Sequence, residues 1–164
     1  MHAPSIARSG AYRVPKHRVS VEIALCGGKP EVVSVFLHLR AASHAGPERP
    51  GELLLDEEPF LTVVSADGSV RFMNKAAIAW MTVALDLAIA GGFDGQGSTA
   101  RREPIDLTLD DGTTFVGEVS ILLPLAKRRL QDFLNHSPRF IEVRSDRVAH
   151  FVNRDRIVMV KSME

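Results

Sequence analysis

The run Val33-Ser34-Val35-Phe36-Leu37-His38-Leu39 returns 86 positions later as Val119-Ser120-Ile121-Leu122-Leu123-Pro124-Leu125. The same offset lays Val19, Val21 and Ile23 over Ile105, Leu107 and Leu109. Further on, Val70-Arg71-Phe72-Met73-Asn74-Lys75 with Ile78 returns as Ala149-His150-Phe151-Val152-Asn153-Arg154 with Ile157, now 79 positions on. The fall in offset places about seven extra residues in the first copy, between its second and third apolar runs. A chain that repeats itself at this scale must bury a similar core twice. An internal duplication therefore constrains the architecture before any single motif does.

Local pattern supplies the elements of each copy. Val19, Val21, Ile23 and Leu25 alternate with Ser20, Glu22 and Ala24, which predicts a half-buried strand. Gly27-Gly28-Lys29-Pro30 is turn chemistry, and Glu31 to Leu39 is a second strand, apolar on both faces. A short helix over 52–58 ends at Pro59. Phe60 to Val64, Val70 to Met73 and Ile78 to Val83 read as three further strands, with Asp67-Gly68 as a turn. In the second copy Ile105 to Leu109 and Phe115 to Leu123 flank Asp111-Gly112. Leu130, Phe133 and Leu134 then fall at helical spacing, Asn135 serves as the cap, and Ser137-Pro138 stops the helix. Phe140–Val143, Val148–Val152 and Ile157–Val160 complete the unit. The expected fold is mainly β with short helices: a duplicated five-stranded small barrel with a helix between strands two and three.

The implied organisation is a flexible basic arm over 1–18, a first repeat over 19–83, a Gly-rich linker over 84–104 and a second repeat over 105–164. Within the linker, Leu85 to Ile89 reads as a strand extension. The arm lacks the apolar core of a signal peptide, which gives a cytoplasmic expectation. The longest apolar stretch, 76–90, holds Asp86 and is too short to span a bilayer, so no membrane insertion is expected. Lys plus Arg and Asp plus Glu are 20 each, which removes the basic signature of a dedicated nucleic-acid binder. A single cysteine, Cys26, excludes an internal disulfide and argues against a thiolate zinc site.

Leu109-Asp110-Asp111-Gly112-Thr113-Thr114-Phe115-Val116-Gly117-Glu118-Val119 resembles the first signature of Sm-like small barrels, and Val152 to Val160 resembles their closing strands. The resemblance implies that Gly112 takes positive φ in a hairpin and that Gly117 permits a bend in the second strand. It also implies an RNA pocket, for which Asp132-Phe133-Leu134-Asn135 and Asn153-Arg154 occupy the relevant regions. Asn153-Arg154 stands where those RNA binders carry Arg-Gly, and few aromatics offer stacking faces.

No catalytic constellation, metal-ligand spacing or phosphate cradle is present, so no enzyme activity, cofactor or metal is expected. Asn74 and Asn153 recur at one place, where a turn role is the simplest account. The candidate interaction surface comprises Lys127, Arg128, Arg129, Asp132, Asn135, Asn74, Asn153 and Arg154. The reading is a protein-interaction or scaffold subunit that binds a protein partner or itself. An Sm-like RNA-binding protein is the alternative.

Overall fold

In a computed structural model, residues 15–89, 100–122, 124 and 129–164 are described. The elements in chain order are β1 (Lys16–Leu25), β2 (Glu31–His38), α1 (Pro50–Leu55), β3 (Phe60–Val64), β4 (Val70–Asn74), β5 (Ile78–Ala84) and α2 (Leu85–Ala88). The second half follows with β6 (Arg101–Leu109), β7 (Thr114–Ile121), α3 (Leu130–His136), β8 (Phe140–Arg144), β9 (Val148–Asn153) and β10 (Ile157–Ser162). The fold is mainly β with short helices.

All ten strands join one antiparallel sheet in the order β10-β6-β7-β8-β9-β5-β1-β2-β3-β4. This corrects the expectation of two closed five-stranded barrels. The hydrogen-bonding order stays open, ending on β10 at one side and β4 at the other. The expected linker also shrinks: β6 already begins at Arg101, and β1 takes in Lys16 to Arg18 of the expected arm. The Gly-rich part of the linker and residues 1–14 lie outside the described residues. Leu85 to Ala88 forms one helical turn rather than a strand extension; Ile89 N–H closes it on Leu85 O at 3.1 Å. Leu85 N–H meanwhile bonds Arg147 O, so the turn docks beside β9.

The two halves use the same pairings. Leu25 pairs with Ile78 as Leu109 pairs with Ile157, and both ladders skip one residue immediately afterwards, at Ala79 and at Val158. Ser34 meets Val64 as Glu118 meets Arg144, each the single bridge between its strands. Leu61 faces Met73 as Ile141 faces Val152. These pairs relate the hairpins by 84 positions, the third strands by 80 and the fourth and fifth strands by 79. The sequence offset of 86 was therefore two too large. A shift of two leaves every side chain on its own face, so alternation alone does not expose it. Gly117 aligns with Val33, not with Glu31, and the first half has about five extra residues rather than seven.

The turns explain the hairpins. Gly68 and Gly112 take φ of +84° and +86°, where a side chain would be strained. The preceding Asp67 and Asp111 each accept a hydrogen bond from the backbone N–H two residues on, at 2.9 Å.

β5 and β9 join the halves through five pairs, from Trp80↔Val152 to Ala84↔Val148. Each of these strands supplies one face to each half. Phe140, Ala149 and Phe151 belong to the core of the first half, with Val21, Val35, Val63 and Met81. Ala79 and Trp80 belong to the core of the second, with Leu107, Val119 and Ile141. Trp80 stands edge-on to Phe115 at 5.5 Å. The indole is thus part of the second core and of the strand pairing that joins the halves.

Candidate functional site

The recurring asparagines are structural caps. Asn74 and Asn153 begin 3-10 turns, and their Oδ1 atoms accept from Ala76 N–H at 2.9 Å and Asp155 N–H at 3.0 Å. The basic residues that follow staple each turn to the segment before the third strand. Lys75 is buried against the Asp56 carboxylate, and its backbone N–H donates to Pro59 O. Arg154 donates to Ser137 O through its guanidinium and to Arg139 O through its backbone. Burial then distinguishes the two asparagines. Asn153 is buried, and its Nδ2 donates to Ile78 O at 2.8 Å, tying β9 to the start of β5. Asn74 lies on the outermost strand, exposed.

The remaining candidate residues divide by place. Arg129 is the N-cap of α3, with Asp132 half-buried in its first turn and Asn135 exposed near its end. The C-cap is Ser137, two residues beyond the expected Asn135. Arg154 lies beside this helix end through its bond to Ser137, whereas Asn74 sits on β4, elsewhere in the sheet order. Lys127 and Arg128 lie outside the described residues.

Two histidine clusters bear on the question of chemistry. His150 Nδ1 lies 2.7 Å from Thr82 Oγ1 across the β5–β9 ladder, and its ring packs at 4.8 Å from Phe115. Burial pushes the imidazole below its ordinary pKa, favouring the neutral ring. In the loop before α1, His44 Nε2 lies 3.0 Å from Glu52 Oε2, and Ser43 Oγ donates to Glu52 Oε1 at 2.9 Å. A bond to Ala45 O, together with Glu52, raises the His44 pKa. Burial works to raise the Glu52 carboxyl, but bonds from Arg49 N–H, His44 and Ser43 outweigh it and hold it low. Here the serine bonds the carboxylate rather than the imidazole, which is not the relay of a nucleophilic triad. The cluster closes the loop onto the helix N-terminus. Among the described residues no three His, Cys, Asp or Glu side chains gather as a metal site requires, and no helix is long and apolar enough to cross a membrane.

A cavity of about 210 Å³ opens where Leu55 of α1 meets Phe133, Pro138, Phe140 and Phe151, with Glu142 and Arg144 at its rim. It is smaller than an ordinary ligand pocket and suits one inserted side chain.

Exposed apolar side chains also lie at the two ends of the sheet. Phe60, Val70 and Phe72 are exposed on β3 and β4, and Val158 and Met159 on β10. The sequence reading did not single these out, because exposure there depends on the strands' place in the sheet order. The two-faced β2 was noticed instead, and there Val32 is exposed while Phe36 is half-buried. Comparison of the chain with protein-family models, curated proteins and solved structures finds no match.

Proposed function

We propose that this chain is a non-enzymatic protein-interaction subunit, a scaffold or assembly component built from two divergent copies of one five-stranded unit. One observation carries the reading: apolar side chains are exposed on strands that also end the sheet. Terminal strands present unpaired backbone N–H and C=O groups, a ready template for strand addition. Proteins usually blunt such edges with charge or proline, or by covering them. Here each edge carries one basic side chain, Arg71 or Lys161, yet leaves Phe72 and Met159 exposed. Equal numbers of acidic and basic side chains add little repulsion against association.

The matching registers, with the same skipped residue and the same asparagine-capped turn, support the duplication. The Sm-like resemblance belongs with it as a proposal about the unit's ancestry and local hairpin. The test is affinity capture from the native host with and without nuclease. Protein partners that persist after nuclease treatment, and are lost when Phe72 or Met159 is replaced by Glu, support the subunit reading. A partner set that disappears with nuclease favours the RNA-binding alternative.

A further inference from the structure

The junction between the halves specifies what its two outer edges lack. Shifting Phe151 and Ala149 back by 79 gives Phe72 and Val70; shifting Trp80 forward by 79 gives Met159. Phe151 is 5% exposed and Phe72 67%; Ala149 is 0% and Val70 59%; Trp80 is 6% and Met159 59%. The inner members are covered because β9 lies on β5. The outer members have no such neighbour among the described residues. Met73 and Val152, which face their own cores at the matched position, are both buried. At these matched positions the difference in exposure falls on the side chains a junction would cover.

Two further positions follow the same rule. Asn153 spends its amide on the backbone of Ile78 across the junction, while its counterpart Asn74 is exposed. Helix α1 holds Pro50, Gly51 and Leu54 buried, whereas α3, which occupies the same place in the second half, has no buried residue. The face of Gly51 is covered by the Phe151 ring, which crosses over from the second half.

We propose that molecules of this protein join head to tail, β10 of one pairing antiparallel with β4 of the next, in a cyclic oligomer. This rests on the interaction reading above and names the partner as a second copy. The internal register sets the intermolecular one: Met159 opposite Met73, Val160 opposite Phe72 and Ser162 opposite Val70. Lys161 then faces Arg71, whose charge is already balanced by Glu31 at 2.7 Å. Gln131 stands in line with Gly51, so the Phe72 ring sits farther from α3 than Phe151 does from α1. The two edges differ, so the contact is heterologous, and such contacts end only by closing a ring.

Light scattering on size-separated protein tests this with two variants, Phe72→Glu and the pair Val158→Glu with Met159→Glu. All three side chains are exposed, so each variant retains its fold, which circular dichroism checks. Wild type runs as a multiple of the 18.0 kDa chain, and each variant alone runs as a monomer. Mixed, the variants form a heterodimer, because each keeps the edge the other has lost. A wild-type monomer across micromolar concentrations, or assembly unaltered in both variants, overturns the proposal. So does a variant that dimerises alone, since that marks a contact between like edges. These results leave the subunit reading to the capture experiment, where a heterologous partner remains detectable even if self-assembly fails.

Discussion

The fourth strands of the two halves, β4 and β9, carry the same alternation in opposite surroundings. In β9 the outward Phe151 is enclosed by a neighbouring strand and helix; in β4 the outward Phe72 meets solvent. The comparison teaches that exposure on β4 is not a property of its sequence pattern. It is a property of position in the sheet, and the missing component has the shape of a strand already present elsewhere in the chain.

The sharpest way to break the comparison is to truncate both rings. Phe151→Ala removes a buried aromatic and is expected to lower stability by about 3–5 kcal/mol. Phe72→Ala, measured in the edge-blocked background carrying Met159→Glu, is expected to stay within about 0.5 kcal/mol. Urea unfolding of both variants checks this. Equal losses would mean that Phe72 is already covered within its own molecule.

The hairpins differ in a second, smaller way. A side chain at Gly117 would bring Cβ to 2.4 Å from Arg144 O and 2.9 Å from Val143 Cγ1, while the first half buries Val33 at the matching position. Gly117→Val is expected to cost about 3 kcal/mol by overpacking, seen as a lower thermal midpoint. An unchanged midpoint would mean that β7 and β8 do not approach this closely.

How much of this was legible in the sequence depends on range. The period-two runs and the Leu130, Phe133 and Leu134 spacing place strands and helix correctly, since both follow from local geometry. Gly117 was recognisable as special, but as a bend; its close approach to Arg144 belongs to a strand 27 positions away. The two-residue offset error arose because alternation is blind to even shifts. The Leu85 turn was misread because four residues carry no period. Closure failed as an expectation for a different reason: β5 pairs with β9, a choice between edges that no local pattern encodes. The asparagines were read correctly as turn residues, yet the added bond from Asn153 to Ile78 depends on the same distant pairing.

That bond offers an intermediate test. Asn153→Ala loses both the turn cap and the buried amide contact and is expected to cost about 1–3 kcal/mol. Asn74→Ala loses the cap alone in the edge-blocked monomer, about 1 kcal/mol. Thermal melts of the two variants rank them, and the reverse order would place the structural weight on β4 instead.

The smallest expected effect is a pH dependence. His150 has a folded pKa below the unfolded value, so folding excludes its proton. Stability contributed by the neutral ring is present above the unfolded pKa, near 6.5, and declines as pH falls below it. His150→Gln is expected to flatten that decline between about pH 7 and 5 relative to wild type. An identical slope in both proteins would remove His150 from the junction's acid response.

Hydrogen–deuterium exchange of the wild-type protein beside Phe72→Glu tests the head-to-tail junction most directly. Amides of β5 and β9 are expected to be protected in both proteins. The outward amides of β4 and β10, those not bonded to β3 and β6, are expected to be protected in wild type at assembling concentration and to exchange rapidly in the variant. Fast exchange of these outward amides in the wild type, or protection there that the variant leaves intact, would contradict a junction repeated between molecules.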